Sequence, residues 1–372
     1  MTIEDCEVHD TGDVAVRFND GGAAYEGIRI LRNHIYRTND TGEGMYLGCN
    51  RNGCQLFDSL IEGNYVHTTD QPSVDQGDGI ELKEGSYNNI IRDNVIHDTN
   101  FPCILTYSTM GNGPPNIIER NVMWNCGDHA IQSAADAIIR NNIILSANAD
   151  GIAMQPHQSG TPSNLRVVHN TILHPSGRAI SLRGIDGEVI IANNALYSPS
   201  EAFFVNGGDN GLTFVANVGT GAVNGTGSAG LLAGGDLASD FLMASYSGAA
   251  PNNVFPAPGS PLIGAGDPAY RADDDFNGTP RTGAPDVGAY AFAVGGNPGW
   301  TLGEGFKDDA PVAPPPDGGT PPDASVGDGS AGGDGGGGAT SDSDGGCSAG
   351  PGPVSDGLLV AFVGLLALRR RR

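Results

Sequence analysis

Basic charge is what this 372-residue chain has least of: Lys83 and Lys307 are its only lysines, and 19 Lys and Arg face 43 Asp and Glu. A formal net charge of −24 repels the phosphate backbone, so nucleic acid is excluded as a partner. The sequence has no HExxH, no CxxC pair and no phosphate-binding glycine loop. Metalloprotease, zinc-ribbon and nucleotide chemistries depend on those spacings and have no support here. Aromatic residues make up only 6% of the chain, and no apolar stripe of helical period runs through it.

What is present is a repeat. Nine times between residues 3 and 219 an apolar residue is followed three places on by a fixed centre, and two places later by a second apolar residue. The first members are Ile3, Ile30, Ile61, Ile91, Ile118, Ile139, Val167, Ile191 and Phe214. The centres are Cys6, then Asn33, Asn64, Asn94, Asn121, Asn142, Asn170, Asn194 and Asn217, at spacings of 27, 31, 30, 27, 21, 28, 24 and 23. A unit this short cannot bury its own apolar face and must stack on its neighbours. Each centre is expected at a sharp bend, where Asn tolerates a left-handed backbone and its amide bonds the coils above and below.

A second column runs beside the first: Gly44-Met45-Tyr46-Leu47, Gly79-Ile80-Glu81-Leu82, Ala130-Ile131, Gly151-Ile152-Ala153-Met154 and Ala179-Ile180-Ser181-Leu182. These read as short strands with one buried face. The expected fold is all-β, a right-handed parallel β-helix (solenoid) of about nine coils over 1–245, then a C-terminal cap over 246–300 covering the terminal strand edges. Residues 301–346 read as a disordered linker and 347–372 as a short hydrophobic tail. From Asp308 to Gly346 there are 12 Gly, 8 Asp and 6 Pro with no aromatic, a composition that cannot collapse.

Ser260 to Gly266, Asp275 to Arg281 and Asp286 to Tyr290 resemble, in order, the choice-of-anchor Q segment of bacterial β-helix surface proteins. Asp273, Asp275, Asn277 and Gly278 have the spacing of half a calcium loop, but Ala284 stands where a bidentate Glu is required, and a polar turn is the better reading. The Gly346-Cys347-Ser348-Ala349-Gly350 motif, the 12-residue apolar run Gly357 to Leu368 and the arginines 369–372 closely resemble the myxobacterial C-terminal sorting tail, MYXO-CTERM. That resemblance implies export, membrane association through the tail before processing near Cys347, and display at the cell surface. The ladder is already running at Ile3 with no secretory signal before it, so the natural chain is expected to extend upstream. In an oxidising envelope Cys49 and Cys54 are expected to close one loop, and Cys103 with Cys126 to link adjacent coils.

The longest ladder intervals fall before Asn64 and Asn94, and insertions in adjacent coils make the walls of a groove. Gly77 to Asn100 is the densest collection of ionisable groups in the repeat region and contains Lys83. The segment resembles coils of β-helix polysaccharide lyases of the chondroitinase B and alginate lyase type. The resemblance implies Lys83 as the base that takes the proton α to a uronate carboxylate, with calcium held by Asp75, Asp78 and Glu81. Those lyases carry an Arg one coil later, whereas here Thr106, Tyr107 and Ser108 stand there and Arg183 lies several coils away. The sequence therefore favours a displayed, non-catalytic β-helix that binds polysaccharide or serves as an envelope component, with Tyr46, Tyr107, Trp124 and Arg183 as substrate-binding candidates. A polysaccharide lyase is the alternative.

Overall fold

The computed structural model describes residues 1–250, 252–307 and 348–350. The repeat winds into a right-handed parallel β-solenoid of about eight turns. One face stacks nine parallel strands, from Thr2–Glu4 through Leu60–Glu62, Ile90–Arg92 and Asn116–Glu119 to Leu212–Val215. A second face follows each bend, for example Tyr65–Thr69, Val95–Thr99 and Val122–Cys126. A third carries Met45–Leu47, Ile80–Leu82, Ile104–Thr106, Ile131–Ser133, Asp150–Met154 and Arg178–Arg183. Ser348–Gly350 pairs antiparallel with Thr2–Glu4.

The register explains the core. Ile30, Ile61, Ile91, Ile118, Ile139, Val167 and Ile191 are all fully buried, as are Ile35, Val66, Ile96, Met123, Ile144, Ile172 and Leu196. Each such aliphatic side chain contributes about 1.5–3 kcal/mol. On the third face the small residues let adjacent coils approach, since a Cβ on Gly79 would stand 2.5 Å from the Cys103 carbonyl oxygen.

The asparagines form one continuous ladder. Asn64 Nδ2 donates to Asn94 Oδ1 at 2.9 Å and to the Ile30 carbonyl at 2.9 Å, while the Asn64 amide N–H donates to the same Asn94 Oδ1. The pattern repeats from Asn33 to Asn217, and Cys6 joins it through its backbone N–H to Asn33. The left-handed backbone, however, lies one residue earlier than expected. Asp5, Arg32, Gly63, Asp93, Arg120, Asn141, His169, Asn193 and Ala216 have φ of 50–66°, and the ladder centres do not. The centres are Asn for the amide, which saturates donors and acceptors that water cannot reach.

The segment expected as an end cap instead runs back along the second face. The outward column there includes Tyr65, Val95, Val122, Ile143, Ala195 and Val218, an apolar stripe that needs cover. Phe241, Phe255, Phe276, Val287 and Tyr290 supply it. Polar contacts mark the route from the eighth coil downward: Asp267 N–H to Asn193, Ala289 N–H to Thr171, Arg281 to Asn141, and Arg120 to Asp274. Residues 301–307, expected to begin a linker, are packed here too. Phe306 lies edge-on to His34 and Tyr65, and Lys307 Nζ meets Asp93 at 2.5 Å. Asp275, from the half calcium loop, accepts the N–H groups of Asn277, Thr279 and Ala291, so its carboxylate organises a turn.

Candidate functional site

On the third face Ile80 and Leu82 point into the core, so the residue between them and the one after face outward. Those residues are Glu81 and Lys83. Lys83 lies over Gly48, where a φ of +94° calls for glycine and a Cβ would also crowd the Lys83 Cβ at 3.2 Å. Lys83 Nζ donates to Glu81 Oε1 at 2.7 Å and to the Tyr107 hydroxyl at 3.2 Å, and that hydroxyl donates to the same Glu81 oxygen at 2.9 Å. The ammonium also sits over two rings, 5.1 Å from the centre of Tyr46 and 4.5 Å from that of Tyr107. Lys83 and Glu81 retain only 4% and 2% exposure, so their charges are held in the wall and not in solvent.

Two more carboxylates stand beside this pair. Met45 is in register with Ile80, which aligns Glu43 with Asp78 on successive coils. One oxygen from each of Glu43, Asp78 and Glu81 lies within 4.8 Å of the other two. All three side chains are buried, and Glu43 Oε2, Asp78 Oδ1 and Glu81 Oε2 have no hydrogen-bond partner. Burial pushes the Asp78 carboxyl well above its ordinary range, with Glu81 and Glu43 adding to the effect, and burial raises Glu43 as well. Tyr46 and Tyr107 are raised by burial first and then by the Glu81 charge.

Asp78, Glu81 and Lys83, with Tyr46 and Tyr107, line a cleft of ≈ 400 Å³, and Glu43 lies outside its lining. Asn50, Gln76, Phe101, Pro102, Asp128, Gln132, His157 and Gln158 also line it; Gln76 adjoins Phe101, whose N–H donates to the neighbouring Gly77 carbonyl, and Asn50 shares a hollow with Gln158. His157 stacks on Tyr107 at 5.1 Å, and burial lowers its affinity for a proton, with Lys83 adding to this. Gln158 lies 3.2 Å from the Tyr107 hydroxyl and turns its amide toward Glu84. The Cys49–Cys54 disulfide closes the turn that carries Asn50. A second disulfide joins Cys103 to Cys126 within the buried core.

The structure brings together Lys83, Tyr46, Tyr107, Asp78 and Glu81, and it separates the other sequence candidates from them. Asp75 is exposed on the loop and is not in the carboxylate cluster; Glu43 takes its place. Trp124 is on the second face, 5% exposed and stacked on His97 at 4.2 Å, in a column continued by His67, Tyr36 and His9. It is a packing residue and presents no platform to a sugar. Arg183 lines a different cleft of ≈ 430 Å³ with Arg178, Asp150 and His129. Cys347 lies outside the described residues. Sequence reasoning missed Glu43 and Phe101, the latter 38% exposed at the cleft rim. Aligning Gly44-Met45-Tyr46-Leu47 with Gly79-Ile80-Glu81-Leu82 was the available signal for Glu43. Phe101 follows the long loop's first turn and had no periodic signal.

A family model described as "Right handed beta helix region" matches residues 60–196. Among solved structures, one titled "Crystal structure of pectate lyase Pel9A" is 14% identical with a TM-score of 0.36, covering 77% of this chain and 86% of that one. No curated protein matches the chain.

Proposed function

We propose that the cleft over Lys83 binds a saccharide without turning it over, in a protein that is exported and displayed. The observation that carries this reading is the lining: an exposed aromatic ring, Phe101, shares the cleft with the side-chain amides Asn50, Gln76, Gln132 and Gln158 and with an ammonium that is spent on Glu81. Rings cover the apolar face of a sugar, and amides offer a donor and an acceptor to adjacent hydroxyls. Excess negative charge at the floor favours neutral glycans, or uronates bridged by a cation. Two disulfides support an oxidising compartment, in keeping with the resemblance of the tail to a sorting signal. Affinity electrophoresis through gels containing neutral and uronate polysaccharides tests the reading. Retardation by at least one glycan is expected, and unchanged mobility in all of them would sink it.

One observation favours catalysis as the second reading. Lys83 Nζ, the Tyr107 hydroxyl and Glu81 form a closed proton-sharing triangle at the cleft floor. In a β-elimination the base takes the proton α to the uronate carboxylate. The C–O bond to the leaving sugar then breaks, the oxygen gains a proton, and a double bond remains in the ring. Release of that unsaturated product from alginate, pectate or chondroitin, followed by ultraviolet absorbance in the presence of calcium, separates the two readings.

A further inference from the structure

We infer that Glu43, Asp78 and Glu81 are the protein ligands of one calcium ion seated in the floor of the Lys83 cleft. The inference stands apart from saccharide binding, because it rests on the unpartnered carboxylate oxygens and not on the amides or the ring of Phe101. Three carboxylates with one lysine between them leave an excess of negative charge in a place closed to water, and such a cluster is costly unless a cation or protons offset it. Each of the three also keeps an oxygen with no hydrogen-bond partner at 1%, 2% and 2% residue exposure. Buried oxygens in native proteins find partners in nearly every case. Three unpartnered oxygens on three neighbouring side chains call for one shared partner.

The donor set defines its chemistry. All donors are oxygen, with no imidazole or thiolate among them, which selects a hard cation over zinc or copper. Oxygens that all lie within 4.8 Å of one another can share one ion, and a dedicated set of three protein carboxylates suits calcium, because magnesium keeps most of its waters and binds through one or two carboxylates. The scaffold fixes the geometry: Glu43 and Asp78 occupy equivalent positions on adjacent coils, and Glu81 faces outward three residues further along. Lys83 competes for Glu81 from the cleft side, so ion uptake would shift that carboxylate from shared to coordinated use.

The test uses the full chain stripped with EDTA, with calcium chloride as the probe in isothermal titration and in thermal unfolding. The expected result is calcium uptake together with a higher melting midpoint in calcium than in EDTA. Asp78→Asn and Glu43→Gln should each weaken that uptake at least tenfold and abolish the midpoint shift, while Asp75→Asn behaves as wild type. Should either variant fail to fold, terbium emission from the wild type decides, since Tyr46 and Tyr107 lie against the ligands and should sensitise it, with calcium displacing the signal. The inference is overturned by a wild type without calcium-displaceable terbium emission, or by folded Asp78→Asn and Glu43→Gln that bind calcium as tightly as wild type. Glycan retardation measured in EDTA is a separate readout, so failure of one proposal leaves the other standing.

Discussion

Lys83 Nζ and Glu81 Oε1 are 2.7 Å apart, at 4% and 2% side-chain exposure, inside a cluster that holds two further carboxylates. Removing one member of a buried pair strands the other, which costs about 3–5 kcal/mol, whereas replacing both is far less costly. Lys83→Met should therefore lower the urea midpoint strongly. The Lys83→Met/Glu81→Gln double variant should recover most of the loss. A double variant as unstable as the single one would show that the pair is not the unit of stability.

The Asn ladder invites a sharper test in its middle than at its end. Asn94 accepts from the backbone and side chain of Asn64 and donates to Ile61 and Asn121. Asn94→Ala leaves several buried groups unpaired, at about 1–3 kcal/mol each. Equilibrium unfolding should show a loss of at least about 2 kcal/mol, and a loss below that would mean that water enters the corner.

Stability should also fall on acidification, in part through one histidine column. His67 has its pKa lowered from 6.5 to about 4, mainly by burial, with His97 and His34 adding to the effect. The folded form holds the ring neutral while the unfolded chain takes a proton near 6.5. Its contribution is therefore fully present above that pH, declines as pH falls toward 4, and changes no further below. His67→Phe keeps the stacking with Tyr36 and His97 and should flatten the dependence of the unfolding midpoint across that window. An equally steep profile in the variant would assign the slope to other groups.

These features differ in how far the chain displays them. Solenoid, strand order and Asn ladder were legible because one amide, used the same way in each coil, leaves a periodic mark. The left-handed residue was misplaced by one position because Asp, Arg, Gly, Asn, His and Ala all fill it, so composition gives no signal there. The returning strap was illegible as a strap. Its partners lie 74 to 214 residues away in sequence, as Asn193 with Asp267 and Asp93 with Lys307 illustrate, and nothing periodic links them. The cleft was legible in outline from the long intervals around Lys83. Its third carboxylate became evident only once Met45 and Ile80 were placed in register.

Phe101 offers the cleanest probe of the cleft, because it is exposed and takes no part in the ladder. Phe101→Ala should weaken glycan retention about tenfold, equivalent to roughly 1.4 kcal/mol, with an unchanged melting midpoint. Equal retention by wild type and variant would remove the ring from the binding surface.

The Cys103–Cys126 disulfide ties two stacked coils across 23 residues. Its removal by Cys103→Ser/Cys126→Ser should cost about 3 kcal/mol through the freedom returned to the unfolded chain, and a reductant should lower the wild-type midpoint by a similar amount. No response to reductant would argue that the bond is absent in the native protein.

The strap has a mechanical consequence. Lys307 is held on the flank of the fourth coil by Asp93, while Phe306 is wedged against His34 and Tyr65. Once the edge pairing of Ser348–Gly350 with Thr2–Glu4 has parted, tension applied through that end would enter the rod from its side, loading these few contacts next and peeling the strap away coil by coil. The stacked strands and their asparagines would bear load only after the strap had yielded, so the molecule carries its own extensible fuse.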